Sequence, residues 1–451
     1  MAVTTAVSLA ADVSRFLAED LLELTHSDLV FDDFAEKLTL PPGSGTTYTM
    51  TRYARLPVSY APTAEGVPPV ATPLQISQST VALQQWTALV TITDVSTRII
   101  KHHVFEIAKD RLRMSASELL DRNAAVTLFG FTQVNYVNAK GGRGNIAATD
   151  VMNPQELQRA SSMLQTLGAP MFRGPKGPLV KKSAKEGQPD ALSEPRTLPH
   201  WIAILHPFMM EDLRNNPQIQ LDSFYSGNHR LYNMEVGQWS GIRFCASNMV
   251  PFFVGTPIAT GIGAITGGSL AAGNYQIIVT GSDNIFQYET LISQQSASIN
   301  VASGVAGSIS VTVPSTPGYT YSVYISAVGS TVVQNLAASV SGPTQGPLQG
   351  MATQIAPGAT IVLTGIGAAK VPPAAPANGV TVYPMFLFGE HAFARVTLDE
   401  IEVNYLDSAE KTDPANQLRM ASYKFYNGYF LKNNAFAIRI EGSSAGSLTF
   451  N

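Results

Sequence analysis

At 451 residues the chain exceeds what one hydrophobic core usually organises, so two or three domains are expected. Its apolar fraction of 45% is that of a globular protein, but charged residues, at 14%, fall well below the usual quarter, which reads either as surface buried against neighbours or as one large uncharged region. A net charge of -4 argues against a basic nucleic-acid binder or a membrane-surface polycation, and the one cysteine, Cys245, excludes an intrachain disulfide and a thiolate zinc site.

The first residues lack the basic leader of a signal peptide, and no run of about 18 apolar residues predicts a membrane span. Val13 to Leu24 reads as an amphipathic arm helix or an ordinary surface helix. Thr46 to Tyr53 alternates as a strand, with Thr46, Tyr48, Met50 and Arg52 on one face. Pro57, Pro62, Pro68, Pro69 and Pro73 then force a loop or an edge. Val81 to Thr93 reads as a second strand, so the two form an extended hairpin with a proline-rich tip and no compact core of its own.

A long helix comes next, capped by Asp94 or Ser96. Ile100, Val104, Ile107, Ala108, Leu112, Ala116, Leu119, Ala124 and Leu128 recur at helical spacing, with Arg98, Lys109, Arg113, Asp121 and Arg122 largely between them. Its span predicts a rod on the order of 50 Å, ended by Gly130. A second helix carries Asn153 as cap, Pro154 at the first position, Glu156 completing a capping box, and Gly168 as the stop. The Phe172 to Arg196 stretch reads as a basic, mobile surface loop. Trp201–Leu205 is a buried strand, Pro207 opens a short helix through Asn215, and Gly241–Ala246 is another strand.

Between Thr256 and Gly379 the composition shifts. Only Asp283, Glu289 and Lys370 are charged there, and short Gly-, Ser-, Thr- and Val-rich strands are separated by turns. About 120 residues of this kind suit an immunoglobulin- or fibronectin-like sandwich. Val371 to Gly379 reads as the exit linker. After it, Val380 to Phe388 and Phe393 to Tyr405 are strand-like, and Phe436, Ile438 and Ile440 alternate in a final strand. One domain is thus interrupted by another.

Several segments together resemble the major capsid proteins of tailed bacteriophages of the podovirus type. The hairpin "GTTYTMTRYARLPV" resembles their extended loop, "DVSTRIIKHHVFEIAKDRLRMSASELLDRN" their long helix, and "HWIAILHPFMMEDLRNN" the strand and helix of their axial domain. "MEVGQWSGIRFCASN", "VTVYPMFLFGEHAFARVTL" and "DPANQLRMASYKFYNGYFLKNNAFAIRIE" resemble their further strands. The likeness covers roughly residues 30–250 and 380–442. It implies an α+β fold of the Hong Kong 97 type: arm 1–38, extended hairpin loop 39–94, spine helix with peripheral and axial domain 95–255, inserted all-β sandwich 256–379, and closing strands 380–451. It also implies an icosahedral shell of hexamers and pentamers around double-stranded DNA, assembled in the bacterial cytoplasm. The partners are then further copies of the chain, portal, scaffold and decoration proteins, and DNA bound without sequence preference, with no membrane. No lysine lies between Lys37 and Lys101, so a cross-link donated from the hairpin is not expected.

The candidate contact residues of the hairpin are Tyr48, Arg52, Tyr53, Arg55 and Glu65. Arg173, Lys176, Lys181, Lys182 and Lys185 form the one basic cluster, which is open to DNA phosphates, to acidic groups of a neighbour such as Asp399, Glu400 and Glu402, or to solvent alone. Catalytic, cofactor and metal residues are not expected. Gly442 to Gly446 matches a nucleophile-elbow spacing around Ser444, but the helix, acid and histidine that must come after it are missing, so it reads as a flexible tail. Gly141–Gly144 and Gly174–Gly177 read as turns. His102 and His103 point apart on a helix. His200 and His206 fall on one face of a strand, too far apart to share a metal. The tyrosines at 275, 288, 319, 321 and 324 read as sandwich core ahead of a sugar-binding surface. Two other functions remain open, a tail or baseplate component and a carbohydrate-binding adhesin module. Deleting Gly261–Lys370 is expected to leave assembly intact if the insertion is an outward accessory.

Overall fold

The computed structural model describes residues 29–41, 43, 45–53, 56, 73–93, 104–172, 199–217, 234–256, 262–283, 288–302, 307–316, 318–341, 344–345, 354–377, 379–398, 402–406 and 418–446. The described chain is mixed α and β, mostly sheet with few helices. It divides into two compact units. The first comprises Met1–Ser27, Gln85–Glu118 and Asp399–Tyr426, and the second Asp28–Gln84, Leu119–Leu398 and Asn427–Asn451.

In the first unit, strand Gln84–Thr93 pairs with strand Leu418–Leu431, which also carries Glu402–Leu406 antiparallel in the register Glu402↔Lys424. Helix α1, Val104–Leu128, contributes its first half here, with Leu112 and Ala116 buried. Its 25 residues give a rod of about 37 Å at the usual rise. The expected cap at Asp94 or Ser96, and His102 and His103, lie outside the described residues.

In the second unit, two strands are buried on both faces. Along Trp201–Leu205 the odd residues enter one core and Ile202 and Ile204 the other. Along Thr381–Phe388, Phe386 and Phe388 face the first core while Met385 and Leu387 face the second. A continuous apolar run of this kind is what a sheet covered on both sides needs. Thr381–Phe388 pairs antiparallel with Trp201–Leu205 on one side and with Ala437–Gly442 on the other, in the register Ile204↔Phe386↔Arg439. Ile242–Ala246 lies parallel to Trp201–Leu205, and Val134–Tyr136 parallel to Ala437–Gly442.

Ala124, Ala125 and Leu128 of α1, with Phe31 and Phe34, cover the first core. Helices α2, Pro154–Thr166, and α3, Pro207–Arg214, cover the second. The Asn153 side chain caps α2 by accepting from the Glu156 N–H at 3.1 Å, and Gly168 takes the left-handed φ of 67° that lets the chain turn away. Half of the expected capping box is therefore present, and the Glu156 carboxylate turns to Arg159 at 2.8 Å.

Three expectations change. The return strand of the hairpin is Ile76–Ala82, and the expected Val81–Thr93 strand is broken at Leu83. Leu83 N–H bonds to the Thr46 carbonyl at the foot of the hairpin, and the Gln84–Thr93 strand beyond it joins another sheet. The expected Phe393–Tyr405 strand is two strands, Phe393–Thr397 and Glu402–Leu406. Asp121, read as lying on the polar face of the long helix, is 2% exposed.

The Thr256–Gly379 region has a core of its own, built from Tyr275, Ile277, Val279, Val311, Tyr321 and Val323 among others. Its alternating strands run as expected through Ile277–Asp283, Gly307–Thr312 and Tyr319–Ser326. It is also fused to the sheet it interrupts. Glu289–Ser293 lies parallel to Phe253–Thr256, which pairs with Thr381 and Val382. The Tyr288 ring stacks on Phe129 at 4.6 Å, and Ile278 and Ile292 join the first core. At the crossing of the two connecting strands, Gly255 N–H bonds to the Val380 carbonyl, and a Cβ on Gly255 would stand 2.1 Å from the Ala377 oxygen. Removing residues 261–370 would therefore uncover Phe129 and Phe253. Tyr288→Ala is expected to cost roughly 3 kcal/mol through lost aromatic packing, read as a lower denaturation midpoint of the whole chain. An unchanged midpoint would show that the insertion folds apart from the body.

Candidate functional site

The hairpin strands Thr47–Tyr53 and Ile76–Ala82 pair in the register Tyr48↔Val81, Met50↔Ser79 and Tyr53↔Ile76. Its base is anchored. Tyr48, Met50, Val81 and Leu83 pack against Leu40, Ala394, Val396 and Phe430, with the Tyr48 ring 6.2 Å from Phe430. Gly428 lies beneath it so closely that a Cβ there would meet Val81 at 2.8 Å. The expectation of a wholly unsupported hairpin thus holds only for its far end. There Tyr53 is 61% exposed and its cross-strand neighbour Ile76 56%, and Leu56 and Leu74 are exposed by half. Four large apolar side chains at one end of a two-stranded ribbon make a patch that an isolated soluble chain has reason to avoid. Arg52 is exposed beside them, while Tyr48 belongs to the base. Arg55 and Glu65 lie outside the described residues. So does the whole basic cluster Arg173, Lys176, Lys181, Lys182 and Lys185, together with Asp399, Glu400 and the Glu402 side chain.

A second constellation sits at the root of the insertion, and no pattern in the sequence marks it. The Gly141–Gly144 turn expected from its glycines places Arg143 in the interior at 5% exposure. Its guanidinium grips Glu441 through Nε to Oε2 at 2.7 Å and Nη2 to Oε1 at 2.6 Å. Its Nη1 donates to the Ala374 carbonyl at 2.9 Å, and the plane lies 3.5 Å from the Phe253 ring centre. One side chain therefore touches the strand leading into the insertion, the segment leaving it, and the last strand of the body. Arg439 adds a second cation 2.9 Å from Glu441, donates to the Phe129 carbonyl at 2.7 Å, and lies over the Phe129 ring. Burial pushes the nearby Tyr288 hydroxyl up, so it stays protonated. The fixed fork of arginine suits a buried bidentate carboxylate, and the pair satisfies charges that would otherwise be costly to bury.

Further in the insertion, Glu289 accepts from Tyr324 O–H at 2.6 Å and from Lys370 Nζ at 2.9 Å. Two of the three charges of this region thus neutralise each other. Tyr275, Tyr321 and Tyr324 are fully buried, which assigns them to packing as expected; Tyr288 is half-buried against the first core and Tyr319 against the insertion's own.

The remaining candidates for chemistry are closed off. Ser443 and Ser444 are buried, Ser443 N–H bonds to the Asp150 carbonyl and Ala445 N–H to Asp212, so the segment read as a flexible tail is held in place. A nucleophile at 0% exposure cannot meet a substrate. His200 is stacked on Phe172 among the first core's side chains, whereas His206 caps α3 through Nδ1 and stacks among Tyr383, Phe252 and Phe208 of the second. The expectation of one shared face fails because the chain turns into α3 at Pro207. Burial pulls His206 down to about 4, which keeps it neutral. Among the described residues no group of three or more His, Cys, Asp or Glu could hold a metal ion, and no described helix is long and apolar enough to cross a membrane. Burial, with Glu235 adding to it, pushes the Cys245 thiol up to about 12.

These environments set two expected outcomes. Arg143→Ala strips Glu441 of its bidentate partner, leaving it Arg439 alone among the described cations, and is expected to cost about 3 kcal/mol in chemical denaturation. Cys245 is expected to react with a thiol reagent only as fast as the chain unfolds, and fast modification at neutral pH would contradict its burial.

No protein-family model matches the sequence, and no curated protein matches it either. Among solved structures the chain is similar to the capsid of the cyanophage P-SCSP1u, at 12% identity and a TM-score of 0.49, over 96% of this chain and 94% of that one. It is similar to the capsid of Ralstonia phage GP4 at 9% identity and a TM-score of 0.49, over 98% of each chain. It is also similar to the capsid of Helicobacter pylori bacteriophage KHP30 at 10% identity and a TM-score of 0.48, over 98% of each.

Proposed function

We propose that the chain is a tailed-phage major capsid protein of the Hong Kong 97 type, a structural subunit without catalysis that assembles into hexamers and pentamers of an icosahedral shell around double-stranded DNA. The observation that carries this reading is the far end of the hairpin, where Tyr53, Leu56, Leu74 and Ile76 stand exposed on a ribbon whose base is firmly anchored. An anchored arm with an apolar tip is built to lie on another molecule. A repeating, heterologous contact of that kind closes into rings when the rotation between copies allows it. Each contact is modest, and stability comes from many of them around closed symmetry.

The sequence likeness in the hairpin, the long helix and the closing strands supports the same reading. So does the closing off of Ser444, His200, His206 and Cys245, which leaves no group among these four poised for chemistry. The inserted region, a sandwich of the immunoglobulin kind in this reading, is a surface protrusion rigidly mounted on the body through Tyr288 and Arg143. Portal, scaffold and decoration proteins are the further partners, and Arg173, Lys176, Lys181, Lys182 and Lys185 are the residues offered to DNA phosphates or to a neighbour. Assembly takes place in the host cytoplasm and the product is the virion shell.

The test is negative-stain microscopy with sedimentation, on the chain expressed alone and with a scaffold protein. Closed shells or ring-shaped capsomers are expected. Tubes would favour a tail component, and a stable monomer under both conditions would overturn the assembly reading. Tyr53→Asp with Ile76→Asp is expected to abolish assembly while leaving the thermal midpoint of the free chain within about a degree, because exposed positions contribute little to folding.

A further inference from the structure

Residues 30–39 are fastened to the second unit by two kinds of contact. Val30, Phe31 and Phe34 are buried, with Phe31 edge-on to Phe386 and Phe34 edge-on to Phe388, each at 6.0 Å. Carboxylates supply the rest. Asp121 of α1 accepts from the Asp32 N–H at 2.9 Å, and the N–H groups of Val30 and Phe31 also donate to it. Its Oδ2 is buried without a hydrogen-bond partner. Asp32 gives its own carboxylate to Tyr429 O–H at 2.7 Å and to Arg395. Further along the segment, Glu36 opens a strand, Glu36–Thr39, that runs parallel to Phe393–Thr397, and its carboxylate takes Lys432 Nζ and His391 Nδ1, both at 2.6 Å.

The charged groups along this seam are Asp32, Asp33, Glu36 and Lys37 on the segment, Arg395, Lys432, Glu390 and His391 facing it, and Asp121 with Glu118 and Arg122 on its own helix. A segment held by backbone donors on a buried acid at one end, and by a half-exposed acid between a lysine and a histidine at the other, responds to protons at both ends.

We propose that residues 30–39 form a proton-gated strap, fastened to the second unit by Asp121 at one end and by Glu36 at the other. Burial raises Asp121 to about 7, with the backbone donors opposing and Asp32 adding to the rise. An acid raised in the folded state contributes its full share of attachment below its unfolded value and loses it as pH rises through about 7. Burial works to raise Glu36, but hydrogen bonds and charge from Lys432 and His391 outweigh it and its pKa is lowered below 4.5. Its share is present above that value and is lost as pH falls. The strap is therefore tightest near the ordinary carboxyl range, at about pH 4, and loosens steadily from there as pH rises towards 7.

Hydrogen exchange of the full chain, monitored by mass spectrometry and corrected for intrinsic rates, reads this directly. Peptides covering residues 30–34 are expected to lose about tenfold in protection between pH 6 and pH 8, the factor expected of one group titrating at 7. Peptides from Trp201–Leu205 should not change. Asp121→Asn keeps the shape and the acceptor but cannot ionise, so protection at 30–34 should become independent of pH over that range. A wild-type chain whose 30–34 protection is flat from pH 6 to 8 would overturn the proposal without recourse to any variant. The same slope in Asp121→Asn would overturn it too, by reassigning the switch to another group.

Discussion

The body and its insertion hang on one buried ion pair. Arg143 and Glu441 are 298 residues apart in sequence and form a bidentate pair with almost no exposure. Neither charge could be left in that interior alone, so every element that carries or covers them must be in place together. The turn at 141–145, the last strand, the Phe253 strand and the segment at Ala374 are thereby fixed in one arrangement. The aromatic layer of Phe129, Phe253 and Tyr288 closes over the pair and raises the cost of opening it.

Much of this is legible in the sequence, and the misses share a pattern. Local signals hold: the Asn153 cap, Pro154, the Gly168 stop, the doubly buried Trp201–Leu205 strand and the alternating strands of the insertion all depend on neighbours within a few residues. Register depends on partners elsewhere. Nothing local tells Leu83 to leave the hairpin, since a β-branched run reads the same on either side of it. Buried charge is the least legible of all. Arg143 sits in a Gly-Gly-Arg-Gly stretch that reads as a solvated turn, and Asp121 occupies a helical position that periodicity gives to solvent. Ser443 and Ser444 look like a tail because small polar residues near a terminus usually are one. Only the partners Asp150 and Asp212, far away in sequence, say otherwise.

The two prominent surfaces differ in kind. The hairpin tip is apolar and small, and in the proposed function it is the surface that meets a partner. The insertion is nearly neutral because its charges are few and Glu289 and Lys370 offset each other, leaving Asp283. A surface of glycine, serine, threonine and alanine makes weak demands on its surroundings, which suits a face turned to solvent. The firm mounting through Tyr288 means that force applied to the insertion is transmitted to the Phe129 layer and from there to α1.

The long sequence separation of Arg143 and Glu441 also bears on synthesis. At the usual pace of about 5–20 residues per second, roughly 15–60 seconds pass between the emergence of the arginine and of its partner. The hairpin is made before either, so for that interval a ribosome displays its exposed apolar tip on an unfinished body. Neighbouring ribosomes on one message would display many such ribbons at once. Because Glu441 is made so long after the hairpin, closure of the body around Arg143 is withheld until then, and in the proposed assembly a nascent subunit lacks the rigid platform its hairpin needs.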